Sequence, residues 1–205
     1  MIYITGDTHG NFDRVLDFCE KMNTTKEDIL IILGDAGINY YNGKKDIKLK
    51  EKLKSVPITL FCIHGNHEMR PHNINSYKLV DFLGGKVWVE EEYPNILFAK
   101  DGEIFDFEVN GAIYKSIVIG GAYSVDKHNW DIDIVLSHTC PKYYEPVEWF
   151  LPLVNQNKVD KSTEIWLDSI FERLNFKKWY CGHYHGSKKI DGFQFMYKDF
   201  DSFMI

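Results

Sequence analysis

Five short polar clusters spread along this chain carry residue types suited to holding metal ions: Asp7-Thr8-His9, Gly34-Asp35, Gly65-Asn66-His67-Glu68, Ser137-His138 and Gly182-His183-Tyr184-His185. A carboxylate such as Asp35 has two oxygens and can bridge two cations, while imidazoles complete each coordination sphere and favour zinc, iron and similar metals over calcium. Asp7 and His9 sit two apart, as do His183 and His185. In an extended strand such a pair shares a face, and at a strand-to-loop exit both members can turn onto one ion. Two ions ~3.5–4 Å apart can lower the pKa of a bridging water and clamp the oxygens of an in-line displacement at phosphorus. Hydroxide generated in this way is a nucleophile at neutral pH.

Something must bring the clusters together, and the flanking residues indicate what. Four of the five directly follow apolar runs of strand type: Ile2 to Ile4, Ile29 to Leu33, Ile58 to Ile63 and Ile132 to Leu136. Such runs suit strands buried on both faces, and open parallel sheets bind ligands in the crevice beyond their carboxyl edge. Convergence on one point is therefore expected. The periodicity predicts a strand over Met1 to Thr5, helix Phe12 to Met22, strand Ile29 to Leu33, helix Lys44 to Ser55 and strand Pro57 to Ile63. A helix or loop follows around Asn75 to Leu83, with strands near Lys86 to Val89 and Ile96 to Ala99. Asn110-Gly111 predicts a two-residue hairpin turn between Glu103 to Val109 and Ala112 to Ile119. The remainder reads as strand Ile132 to Leu136, helix Ser162 to Leu174, strand Lys178 to Cys181, and a hairpin about Asp191-Gly192 leading to Phe193 to Tyr197. Early βαβ units followed by hairpins indicate an α/β chain with two stacked mixed sheets flanked by helices.

The order D-x-H, G-D, G-N-H-[DE], H and G-H-x-H, matched here in full over residues 7 to 185, resembles that of the calcineurin-like metallophosphoesterases. The resemblance implies a four-layer αββα sandwich and two divalent metal ions, manganese, iron or zinc. It implies one metal on Asp7, His9, Asp35 and His185, and a second on Asp35, Asn66, His138 and His183. His67 is then the general acid facing the leaving-group oxygen, oriented by Glu68 or another carboxylate. The implied activity is hydrolysis of a phosphate ester on a small molecule, a nucleotide or a protein, in the manner of a phosphomonoesterase or protein phosphatase. A phosphodiesterase or nuclease acting on nucleotides, and a non-catalytic metal-binding module, are the alternatives. Retention of every expected ligand and of His67 speaks against the last.

Departures from the family pattern bear on substrate recognition. Gly6-Asp7-Thr8-His9-Gly10 and Gly65-Asn66-His67-Glu68 resemble the protein Ser/Thr phosphatase branch, whose second motif continues with an acid and a phosphate-binding arginine. Here it continues Ala36-Gly37-Ile38-Asn39-Tyr40, with neither. Arg70 is the nearest cationic candidate for a substrate-phosphate fork, and otherwise a surface arginine.

Each cluster alone has a plainer explanation, because Gly and Asp are common turn residues and a single histidine after a strand can be a buried core residue. Five in order are not explained that way. Of the eight histidines, His64 reads as support for the site or backbone, and His72 and His128 as solvated loop residues. The aromatic stretch Tyr143, Tyr144, Trp149 and Phe150, punctuated by Pro141, Pro146 and Pro152, is either a lid or a cover over a satellite core. The lysines of 44–54 alternate with Ile47, Leu49 and Leu53, as on a solvated amphipathic helix.

With 205 residues, 44% hydrophobic and 15% aromatic, the chain can bury a substantial core as one domain, residues 1–205. A net charge of −6 argues against a general nucleic-acid-binding or membrane-surface role, so attraction for phosphate must be local. No apolar run reaches membrane-spanning length, and with a strand read from Met1 to Thr5 no signal peptide is expected. Cys19, Cys62, Cys140 and Cys181 lack zinc-finger or redox spacing, and are expected to be reduced packing residues of a cytoplasmic protein.

Overall fold

The chain's computed structural model describes residues 1–120, 130–150, 154–171 and 174–203. In order, the elements are β1 (Ile2–Thr5), α1 (Asp13–Met22), β2 (Ile29–Ile32), α2 (Lys44–Lys54), β3 (Thr59–Cys62), β4 (Tyr77–Phe82), β5 (Gly85–Glu90), β6 (Ile96–Ala99), β7 (Ile104–Val109) and β8 (Ala112–Ile119). There follow β9 (Trp130–Asp131), β10 (Ile134–Ser137), α3 (Ser162–Phe171), β11 (Leu174–Asn175), β12 (Lys178–Cys181), β13 (Lys188–Ile190), β14 (Phe193–Phe195) and β15 (Phe200–Ser202). One sheet runs β15-β1-β2-β3-β6-β5-β4, a second runs β13-β14-β12-β10-β8-β7, and β11 pairs with β9 apart from both. Both large sheets are mixed. The centre of the first, β1 to β2 to β3 to β6, is parallel, as is β8 to β10 to β12 to β14 in the second.

Period-two alternation along the central strands sorts their side chains into three cores. Ile2, Ile4, Ile31, Phe61, Ile134, Leu136 and Tyr180 point between the sheets, where they meet Phe105, Phe107 and Phe203. The intervening Tyr3, Leu30, Ile32, Leu60 and Cys62 point outward, onto Phe12, Val15 and Cys19 of the α1 segment and Leu53 of α2. On the far side, Val135, Trp179 and Cys181 pack with Leu167 of α3 and with Phe193 and Phe195. Strands buried on both faces explain why the runs are continuously apolar. The result is helices, sheet, sheet and helix in four layers, as expected.

Several elements differ from their sequence reading. Residues 77–82 form a strand, not a helix or loop, paired antiparallel with β5 through a turn at Leu83 and Gly84. This edge strand is largely solvated, so its apolar signal is weak and its partner decides its conformation. Helix α3 ends at Phe171, and Leu174 begins β11. The three-residue β15, too short to announce itself, lies antiparallel to β1. The lysine face of α2 is not uniformly solvated, because Lys50 is buried, 2.5 Å from Glu90 and 4.9 Å from the Tyr77 ring centre. β8 and β10 are parallel neighbours although only residues 120–133 connect them, and that connection contains β9. His128 lies outside the described residues. All four cysteines are free and buried. Among the described residues no helix is long and apolar enough to cross a membrane.

Candidate metal centre

The carboxyl ends of the parallel strands in both sheets meet at one place. Asp7 and His9 follow β1, Asp35 follows β2, Asn66 and His67 follow β3, His138 follows β10, and His183 and His185 follow β12. At these exits the backbone turns sharply. His9, Asp35, His183 and His185 all have positive φ, between 44° and 64°, a left-handed conformation that Asp and His adopt more readily than most residues. A strand would send residues two apart along one face and away from the junction; the left-handed turn re-aims them into it.

The exits brace one another. His9 N–H donates to the Asp35 carbonyl at 2.8 Å, and Gly182 N–H to the His138 carbonyl at 2.9 Å. The side chains of the two aspartates repeat one pattern. Oδ1 of Asp7 accepts from the His183 N–H at 3.0 Å, and Oδ1 of Asp35 from the His67 N–H at 2.8 Å. In each case Oδ2 is buried and has no hydrogen-bond partner. The strands can approach this closely only because glycine precedes the ligand-bearing turns: a Cβ on Gly65 would lie 2.0 Å from Asp35 Oδ1, and one on Gly34, itself at φ +95°, would lie 2.1 Å from His138 Nδ1.

Around those unpartnered oxygens lie imidazole nitrogens. Asp7 Oδ2 is 3.3 Å from His185 Nε2 and 3.6 Å from His9 Nε2, and these two nitrogens face each other at 3.0 Å. Asp35 Oδ2 is 3.5 Å from His138 Nε2, and Asn66 Oδ1 lies 2.8 Å from the same nitrogen. His138 Nδ1 is fixed by Leu33, donating to its carbonyl at 3.0 Å, which leaves Nε2 aimed into the cluster. Two sets of donor atoms gather within 4.8 Å, one from Asp7, His9 and His185 and one from Asp7, Asp35 and His138. Asp7 therefore belongs to both groups, whereas Asp35, the shared carboxylate that the resemblance implies, belongs to one. His183 is beside them, its ring centre 4.9 Å from that of His138. Buried unpaired carboxylate oxygens beside converging imidazoles are costly without positive charge, and this N/O set suits divalent transition metals.

Protonation reflects the same crowding. Burial works to raise the Asp35 pKa, but the close approach and charge of the His138 imidazole, with the His67 N–H, hold it well below the usual carboxylate range. Burial disfavours charge on His138 as well, yet Asp35 and Asp7 push it up to about 9. His183 is pushed down to about 4 by burial and then by the charge of His138, which together outweigh the raising charges of Asp7 and Asp35. His185 is raised through its contact with Asp7.

Every sequence-predicted ligand reaches the junction. His67 is also there, solvent-exposed, with its ring 6.0 Å from that of His9. It borders two adjoining cavities. One, of about 530 Å³, is shared with His9, Tyr40, Tyr41 and Lys45; the other, of about 680 Å³, with His64, Asn66, Arg70 and Thr163. Arg70 pairs with Asp101, whose other oxygen accepts from Gly120 N–H at 3.0 Å. Glu68 does not orient His67: its Oε2 accepts from Gly37 N–H at 3.1 Å, tying the β3 exit to the β2 exit. Burial, and then the charge of Asp35, raise it to about 7. His64 is buried at the second cavity, where burial and then the charge of Arg70 push it down to about 3. The aromatic stretch is chiefly a cover: Tyr144 stacks on Phe193 at 4.1 Å, and Trp149 packs on Phe195, although Phe150 reaches the His183 ring at 5.0 Å.

Sequence reasoning missed two supports. Arg14, on α1, donates to the carbonyls of Gly6, Asp7 and Lys198 and to the Thr5 hydroxyl, holding the turn that presents Asp7. Tyr197 stacks on the His185 ring at 4.8 Å. Neither stands in a motif, and an arginine on an amphipathic helix reads as solvated.

A family model described as calcineurin-like phosphoesterase matches residues 1–201. No curated protein matches the chain significantly. Among solved structures, a protein of unknown function from Aquifex aeolicus, AQ665, is similar with a TM-score of 0.43 at 15% identity, over 92% of this chain and 81% of that one. With a family model spanning all five clusters and nearly the whole length, the chain belongs to the calcineurin-like phosphoesterase family, whose members hydrolyse phosphate esters with divalent metals.

Proposed function

We propose that this protein is a metal-dependent phosphomonoesterase in which Asp7, His9, Asp35, Asn66, His138, His183 and His185 hold two divalent cations and His67 is the general acid. The observation that carries this reading is the convergence of two buried, unpartnered carboxylate oxygens with imidazole nitrogens, beside an exposed histidine that opens onto cavities. Bound cations would supply positive charge to the phosphoryl oxygens and a deprotonated water at neutral pH. The rest falls to the chain. His67 donates its proton to the departing alkoxide, its backbone held by Asp35 so that the ring stays at the cavity mouth. Arg70, on the second cavity, offers a planar cationic fork to a non-bridging phosphate oxygen, restrained by Asp101. Glu68 and Arg14 keep the strand exits in register.

The second cavity on the other side of His67 favours a second reading, a phosphodiesterase with room for a group on either side of the phosphorus. One screen separates the two. Manganese-, iron- and zinc-loaded protein is assayed against phosphopeptides, nucleotides, sugar phosphates, a cyclic nucleotide and a generic diester. Faster turnover of monoesters is expected; faster turnover of diesters replaces the monoester reading, and no hydrolysis with any metal overturns both.

A further inference from the structure

We infer that the cavity beside His9 and His67 is a leaving-group subsite for a nucleobase, so that the substrate class is nucleotides; this rests on the phosphomonoesterase reading above. Three observations support it. The first is the wall chemistry. Tyr40 and Tyr41 are 55% and 59% exposed, sit edge to face with ring centres 4.8 Å apart, and line the cavity together with Leu49 and Lys45. Exposed aromatic rings next to a site offer a face to a planar ring, and every base has one. The Lys45 ammonium, 4.2 Å from the Tyr41 ring centre, adds one cation facing the ring nitrogens and carbonyls of such a ligand.

The second is that this loop is built, not loose. The buried Asp46 carboxylate accepts from the N–H groups of Tyr41 and Asn42, at 3.0 and 2.6 Å, so the tyrosines are fastened to the first turn of α2. At the other end Asn39 is buried, its amide bonded to the Tyr77 hydroxyl at 3.0 Å and its carbonyl accepting from Met69 N–H at 2.9 Å. Rings held on a fixed backbone lose little freedom when a ligand stacks on them. Third, the space of about 530 Å³ lies within the ~300–1,000 Å³ usual for whole small-molecule ligands, and is more than one ring attached directly to phosphorus requires. With the phosphate at His9 and His67, a sugar bridges to a base at the tyrosines.

The test compares a nucleoside 5′-monophosphate with ribose 5-phosphate, which share the same primary alkoxide leaving group and differ in the base. For the metal-loaded protein, kcat/KM should favour the nucleotide by roughly ten- to a hundredfold, the size of one base–aromatic stack. In Tyr40→Ala and Tyr41→Ala that ratio should fall towards one, and in Tyr40→Phe and Tyr41→Phe, which keep the rings, it should persist. A second measurement needs neither metal nor turnover: adenosine titrated into the metal-free protein should shift the ring resonances of Tyr40 and Tyr41. A ratio near one in the wild type, a ratio unchanged in both alanine variants, or no shift with adenosine overturns the subsite. If no monoester is hydrolysed with any metal, the proposed function fails, and the adenosine titration still decides whether the cavity takes a base.

Discussion

His67 and Asp35 occupy neighbouring positions with opposite duties, and substitution should separate them. On the proposed reading, His67 lines the cavities, its ring 6.0 Å from that of His9, and its backbone N–H donates to Asp35. His67→Ala should therefore retain metal, by elemental analysis, while kcat falls ~10²–10⁴-fold, the usual worth of a positioned general acid. Substrates with good leaving groups should lose less, since they need little protonation. Loss of metal from this variant would mean that the imidazole is a ligand. Arg70 makes a subtler prediction. Lysine keeps the charge but not the planar fork, so Arg70→Lys should lower kcat/KM with metal stoichiometry and Tm near wild type. Unchanged kinetics would return Arg70 to a structural partner of Asp101.

The strand exits matter as elements because each candidate ligand is aimed by a turn, and the turns lean on one another. Gly65 shows this best. A methyl group there would fall 2.0 Å from Asp35 Oδ1 and 2.2 Å from its backbone nitrogen, so the β2 and β3 exits could not both stay in place. Gly65→Ala should lower Tm and weaken metal binding together, by ~1–3 kcal/mol in stability as expected of overpacking. Gly43→Ala, where the nearest atom is 3.8 Å away, is the matched control and should be near neutral. Equal effects of the two substitutions would show that the exits yield to one another.

Across the whole molecule, the centre couples charge to stability. His138 is buried with a folded pKa of about 9 against an ordinary 6.5, so in the metal-free protein its proton stabilises the fold fully below pH 6.5, and that contribution is lost as pH rises through about 9. The expected loss is on the order of a few kcal/mol. Tm of the metal-free protein should fall between pH 6.5 and 9. Divalent metal, which on the proposed reading binds the folded cluster and displaces that proton, should raise Tm and flatten or reverse the trend, because deprotonated ligands bind better. A metal-free Tm that rises over this range would show that His138 is not held protonated by Asp35 and Asp7.

By itself the sequence made the fold class legible, and its motif order, through the family resemblance, named the candidate ligands, because both rest on local patterns: strand-like apolar runs, helical stripes, and polar clusters placed where strands end. Continuous apolar runs of four or five residues can be buried only between two layers, which leaves few architectures. What only the tertiary structure decided depends on contacts between segments far apart in the chain. Glu68 bonds to the Gly37 backbone and leaves His67 alone; Arg14 serves Asp7 when its helix position reads as solvated; and Asp7, not Asp35, is common to both donor groups. The edge strand at 77–82 and the short β15 exist because a neighbouring strand was available to pair with them. The positive φ at His9, Asp35, His183 and His185 belongs to the same class, since no single segment calls for those turns, and braces between the two sheets hold them together.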